Sequence, residues 1–317
     1  MAEVLHIGKV RARKEIYVMG YLFMAISLLA GVVKGYCGKR TSGYVNGYRG
    51  AMLANTVRMI LCTLIGVILI IAGGNAEQLK PTPAILAISA LSGVTTSVFV
   101  VCWLISVKKG AYMMLDVFLM LGVLVPIVAG RFVFGETIKL TQWIGIGVLI
   151  IAVVIMCSYN NSIKEKMSIS ALVMLIVCGA ANGLTDFSQK LFVKQLSDVP
   201  ISVFNFYTYV FSAAVLAVFL IIFSVKEKSQ GKEETASGLK RIFGYIAVMS
   251  VCLFANSYFK TMAAGYLDSA QLYPLNQGLG LILSSVMSAV FFHERLTLKC
   301  IIGLVLSFAG LIIINVL

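Results

Sequence analysis

Ten apolar runs of bilayer length, divided by mostly short polar breaks, leave this chain few folds to adopt. A hydrocarbon core about 30 Å thick is crossed by roughly 20 helical residues. The runs cover residues 16–36, 48–73, 81–107, 111–133, 140–159, 168–190, 200–224, 242–264, 270–292 and 298–316. Lipid offers no hydrogen bonds, so a spanning segment must be a helix or part of a closed barrel. No alternating strand-length segments of the barrel kind occur, and an all-α polytopic membrane protein is predicted. Composition agrees: 12% of residues are charged and 60% hydrophobic, whereas a soluble domain carries about 25% charged residues to face water.

The net charge of +13 does not imply nucleic acid. The lysines and arginines fall mainly in the polar breaks, where they meet lipid headgroups, and no zinc finger, continuous basic helix or aromatic RNA-binding strand is present. Lys9, Arg11, Arg13 and Lys14 precede the first run, but that run is too long for a signal peptide and reads as a retained helix. The seven cysteines are scattered, with no Cys-x-x-Cys and no histidine close by. They read as small buried hydrophobes, not as metal ligands or disulfides. The only histidines are His6 and His293, and no HExxH, GxSxG or GxxxxGK[ST] occurs. No metal, cofactor, catalytic machinery or direct ATP use is therefore expected.

An internal repeat organises the runs. Phe134-Gly135-Glu136-Thr137-Ile138-Lys139-Leu140 is matched by Phe292-His293-Glu294-Arg295-Leu296-Thr297-Leu298, and each leads into an apolar run with a glycine at Gly145 or Gly303. Glu136 to Glu294 and Gly145 to Gly303 are both offsets of 158 residues, half the chain. Each motif joins the fourth helix of its half to the fifth. Five is odd, so the second half enters the membrane inverted relative to the first. The expected units are 1–159 and 160–317. Inverted repeats of this kind build secondary transporters, whose site lies near the midplane between the repeats.

These corners resemble the drug/metabolite transporter superfamily, specifically its ten-helix EamA-type members. Gly31 with Lys39 closing helix 1, Gly183 with Lys190 closing helix 6, and Arg58 in helix 2 add to the likeness. Ala30 departs from it, standing where the family usually has an aromatic residue. The resemblance implies a solute carrier, often an exporter of amino acids or other metabolites, with a cavity lined chiefly by helices 1, 3, 4, 6, 8 and 9. It also implies cytoplasmic termini. Basic residues then number ten inside against fifteen outside, or ten against ten without the polar loop 226–241, so positive-inside counting does not favour that orientation. Glu136 and Glu294 read as helix-start caps, with substrate contact as the other reading.

Ionisable groups within spans are costly and mark candidate sites. Asp116 and Asp186 are the two acids well inside apolar runs, with Lys34, Arg58 and Lys260 as cations. Asn182, Asp186 and Gln189 share one face of helix 6. Aligning Gly31 with Gly183 sets Lys34 at the position equivalent to Asp186, so the two could meet across the pseudo-two-fold axis or clamp opposite ends of a zwitterion. Snorkelling towards the interface is the plainer alternative. In helix 9, Tyr273 and Gln277 lie on a stripe with Gly280, Ser284 and Ser288, beside Asn276 and after Pro274; helix 8 adds Asn256 and Lys260. Small residues alone serve close packing, whereas Tyr, Asn and Gln suit a cavity wall.

The expected substrate-binding set is thus Lys34, Asp116, Asn182, Asp186, Gln189, Asn256, Lys260, Tyr273, Asn276 and Gln277. The expected function is secondary transport of a small polar metabolite such as an amino acid or amine, with export favoured. Coupled protons would pass through Asp116 or Asp186. A flippase of a lipid-linked sugar or lipid on the same fold is the alternative, with an intramembrane enzyme as the less favoured alternative of another class. The expected location is the plasma or inner membrane, with the bilayer and a small-molecule substrate as partners and oligomeric state open.

Overall fold

A computed structural model describes residues 2–45, 47–108, 112–158, 169–229, 237–292 and 298–316. Among them the chain is helical, without strands: α1 Ala2–Ser42, α2 Gly47–Ala72, α3 Pro83–Lys108, α4 Tyr112–Gly122, α5 Leu124–Phe134, α6 Leu140–Ser158, α7 Ile169–Gln195, α8 Ile201–Ser229, α9 Ser237–Tyr266, α10 Ser269–Phe292 and α11 Leu298–Val316. A short 3₁₀ turn, Ala76–Gln78, follows α2. The fourth span is α4 followed by α5, so eleven helical segments make ten spans in two inverted sets of five. The stretch 160–166, Glu294 and residues 230–236 of the loop 226–241 lie outside the described residues.

Several helices outrun their apolar stretches. α1 has 41 residues, about 60 Å at 1.5 Å per residue, of which Tyr17–Ser42 forms the apolar part. Six helices are long and apolar enough to cross a bilayer unaided, and shorter apolar stretches lie at Phe118–Phe134, Leu140–Ala152 and Ile301–Ile314. α7 has sufficient length, 27 residues, but Asn182, Asp186, Gln189 and Lys190 lower its hydropathy. Those polar residues are buried against protein. Large apolar side chains such as Leu29, Ile68, Val154 and Val305 instead point outwards, as a lipid-facing surface requires.

Packing follows a pseudo-two-fold relation between the halves. The principal pairs are α1 with α9, α3 with α7, α2 with α8, and α6 with α11. In span numbers these are 1 with 8, 3 with 6, 2 with 7, and 5 with 10. Exchanging each span for its repeat mate returns the same set. Glycine permits the closest approaches. A Cβ on Gly145 would stand 2.8 Å from the Gly310 carbonyl oxygen, and one on Gly310 would stand 3.0 Å from that of Gly145.

The predicted single helix over 111–133 is corrected: it is interrupted at Val123, between α4 and α5. Pro126 has no N–H to offer the Gly122 carbonyl four residues earlier. That carbonyl faces α7, only 2.1 Å from where a Cβ on Gly183 would lie. A Cβ on Gly179 would likewise stand 2.2 Å from the Phe118 carbonyl oxygen. The two helix backbones therefore touch where the fourth span is broken.

The α5–α6 corner ties the halves together. Gly135, at φ 67°, takes the left-handed conformation that ends α5 and turns the chain into Glu136. The expectation that Glu136 caps the helix it precedes is corrected. Gln142 accepts the Lys139 N–H at the start of α6 (3.0 Å), while Glu136 Oε2 accepts the Ser269 N–H at the start of α10 (3.0 Å). Glu136 Oε1 also pairs with Lys190 Nζ at 3.0 Å, and Lys190 donates to the Ala264 and Leu267 carbonyls at the end of α9 (3.1 and 2.7 Å). One ion pair thus neutralises both helix ends at the α9–α10 turn. Burial alone would raise the Glu136 carboxyl, but the Lys190 charge and the Ser269 hydrogen bonds together hold it below the usual carboxylate range.

Candidate functional site

Midway along the spans, between the repeats, lies a cavity of about 100 Å³. Its walls come from α1 (Leu28, Gly31, Lys34), α3 (Phe99, Trp103), α4 (Leu119), α7 (Asn182), α9 (Asn256, Lys260) and α10 (Asn276, Gln277, Ser284). These are spans 1, 3, 4, 6, 8 and 9, the six that the family resemblance implies. Six of the ten predicted site residues line the space: Lys34, Asn182, Asn256, Lys260, Asn276 and Gln277.

Three of the remaining four are arranged differently, and the fourth, Asp116, has a side chain outside the described residues. Asp186 is 0% exposed and its Oδ1 accepts from Lys260 Nζ. The predicted meeting of Lys34 with Asp186 is therefore corrected. Asp186 on α7 finds its cation on α9, within its own half of the chain, because those two helices bring residues 186 and 260 together there. Tyr273, predicted as cavity wall, is 0% exposed and donates to the Asp186 backbone carbonyl at 2.8 Å, behind the cavity. Gln189 donates to Ser257 Oγ (3.1 Å), which donates to Asn205 Oδ1 (2.9 Å). It joins α7, α9 and α8 below the cavity surface. Asp116 belongs to α4, and the Ser288 side chain likewise lies outside the described residues.

Lys34 stands apart electrostatically. Among the described residues it has neither a carboxylate partner nor a hydrogen bond, and its ammonium lies 5.7 Å from the centre of the Phe99 ring. The charges of Arg58 and Lys260 act on it, opposed by that of Asp186. Asn256 Nδ2 donates to the Ser27 carbonyl (2.8 Å) and to Ser27 Oγ (3.0 Å), and Ser27 Oγ donates to the Asn256 carbonyl (2.9 Å). This clamp fixes α1 to α9 beside Gly31, where a Cβ would come within 3.3 Å of Asn256 Nδ2. Two cavity amides are incompletely matched: among the described residues Asn182 Nδ2 has no acceptor and Asn276 Oδ1 no donor.

Phe99, Trp103, Leu28 and Leu119 complete the wall and escaped the sequence reading. An apolar residue on a membrane helix carries no mark of facing a cavity instead of lipid. Gly38 offers a partial signal, since a Cβ there would lie 2.3 Å from the Trp103 ring. The indole occupies space that only a glycine on α1 leaves open.

Comparison with known proteins agrees with this architecture. The EamA-like transporter family model matches residues 18–158 and 169–316, so the chain belongs to the EamA-like transporter family, within the drug/metabolite transporter superfamily. It is accordingly a multi-pass membrane protein of a transporter family. It is also 32% identical over 82 residues to the multidrug transporter EmrE of Escherichia coli strain K12, covering 26% of this chain and 74% of that protein. A solved crystal structure superposes with a TM-score of 0.72 over 96% of this chain and 97% of the other, at 13% identity. That likeness shows the fold alone.

Proposed function

We propose that this protein is a secondary transporter that carries a small polar metabolite, amino-acid-like in size and character, across the plasma or inner membrane by alternating access. The observation that carries the reading is the midplane cavity, where Lys34, Asn182, Asn256, Lys260, Asn276 and Gln277 face shared space between the repeats. Unpaired polar groups in a bilayer interior are disfavoured by several kcal/mol each (~2.5–3.5 for a charge at a helix centre), so Lys34, Asn182 and Asn276, which the described residues leave incompletely matched in that wall, argue for a polar guest. The match to a protein named as a multidrug transporter supports a transport role. Export is the direction we favour, and protons are the coupling ion, carried by Asp116 or Asp186.

Size favours a small solute over a lipid-linked sugar. An engineered cavity of about 150 Å³ holds benzene, and this one is about 100 Å³, so its occupant has only a few heavy atoms in this conformation. The test is counterflow in proteoliposomes loaded with amino acids, amines, sugar phosphates or nucleotides. Accelerated uptake of one labelled class, reduced by Gln277→Leu in protein that still inserts, supports the reading. Counterflow of none of them, alongside translocation of a lipid-linked sugar, would replace it with a flippase.

A further inference from the structure

The charge balance around the cavity says which end of a solute the site holds. Lys34 and Lys260 act on the carboxylate of Asp186, and a third cation, Arg58, which does not line the cavity, acts on Lys34. Asp116 is the one other acid well inside the spans, so cations outnumber acids even if it is counted. Asp186 does not line the cavity; it is fully buried and already bonded to Lys260. Lys34 does line the cavity, and among the described residues its ammonium has an aromatic face beside it and no carboxylate partner.

The neighbouring amides fit the same guest. Asn182 is 6% exposed and Asn276 7%; both line the cavity, one with a donor and the other with an acceptor unmatched among the described residues. An oxyanion accepts from an ammonium and an amide N–H simultaneously, and charge-assisted bonds of this kind are the stronger class. A hydroxyl or ammonium on the same solute would supply the donor that Asn276 Oδ1 lacks. An amine without an anionic group would meet Lys34 in repulsion and gain no free carboxylate among the described residues in return.

We propose that the cavity recognises its solute through an oxyanion, a carboxylate or phosphate group, held by Lys34 and Asn182, with Asn276 accepting from a donor elsewhere on the molecule. This rests on the transporter reading and narrows it to solutes of the amino-acid, hydroxy-acid or small organic-phosphate class, against simple amines.

The experiment is thermal stability of the purified protein in neutral detergent against matched probes: acetate with acetamide, alanine with alaninamide, inorganic phosphate with glycerol, and propylamine. A separate arm adds phosphatidylglycerol, to distinguish a soluble oxyanion from a lipid headgroup. Stabilisation by the oxyanion member of at least one pair is expected, and not by its neutral counterpart or by propylamine; stabilisation by phosphatidylglycerol alone would assign the oxyanion to a lipid headgroup and overturn the solute class. Lys34→Met should weaken binding of the oxyanion member about ten- to a hundredfold, the worth of one charge-assisted hydrogen bond, with Lys34→Arg retaining part of it. Asn182→Ala provides a second variant that keeps the cavity cation, and is expected to weaken binding by a smaller factor. The proposal is overturned if propylamine or the neutral members stabilise as well as the oxyanions. It is equally overturned if Lys34→Met binds as wild type does, or if no oxyanion stabilises the protein. Neutral or cationic solutes that bind and show counterflow would remove the oxyanion while leaving transport intact.

Discussion

Asp186→Asn removes the carboxylate that, among the described residues, alone contacts the buried Lys260 ammonium, while leaving side-chain volume almost unchanged. Asp186 and Lys260 side chains are 0% and 7% exposed, so little water can take the place of the lost partner. Removing one member of such a pair costs about 3–5 kcal/mol, whereas replacing both by uncharged groups of similar volume is often neutral or stabilising. Asp186→Asn and Lys260→Met should therefore each destabilise by about 3–5 kcal/mol, and the double variant by much less than their sum. The Tyr273 bond to the Asp186 backbone carbonyl survives both substitutions, so the coupling reports on the ion pair. The assay is equilibrium unfolding in mixed detergent micelles, completed as a double-mutant cycle. Additivity within about 0.5 kcal/mol would refute the pairing and the reasoning from burial.

Three further outcomes follow from the geometry. Gly179→Ala puts a Cβ 2.2 Å from the Phe118 carbonyl oxygen, whereas one on Gly147 meets nothing within 4 Å; the first should destabilise by about 1–3 kcal/mol and the second should be neutral or mildly stabilising by helix propensity, and equal thermal shifts would contradict the close crossing of α4 and α7. Because the folded Glu136 carboxyl lies below its ordinary value, its stabilisation is complete above the unfolded pKa of about 4.3 and is lost as pH falls through the lower folded value. Wild-type melting temperature should thus fall more steeply than that of Glu136→Gln in this acid range, and parallel curves would remove the corner ion pair from the account. In proteoliposomes under a pH gradient, Asp116→Asn should uncouple solute movement from protons while exchange persists; full coupling in the variant would exclude Asp116 as carrier.

Number and type of the spans, and their division into two inverted sets, were legible because lipid constrains them so strongly: length of apolar run sets the span, and the odd number in each repeat sets its inversion. Six cavity residues were legible for a related reason, since Lys34, Asn182 or Gln277 in a span needs an explanation that Leu28 does not. Partner choice was not legible. Lys34 matched Asp186 by repeat alignment, yet Lys260 holds it, because which side chains touch depends on how α7 packs on α9. Glu136 likewise had the right capping chemistry for its own helix, but the fold carries it to α10. The break at Val123 left a trace in Gly122 and Pro126, four residues apart, which matters only where another backbone comes as close as α7 does.

Alternating access around the cavity is tested most directly by accessibility from the two sides of the membrane. With the seven native cysteines replaced, Gln277→Cys would be exposed to a membrane-impermeant maleimide in sealed right-side-out and inside-out vesicles. Labelling from both sides, slowed by a bound solute, is the predicted result. Labelling from one side only, whatever the solute or gradient, would contradict a site presented in turn to each face.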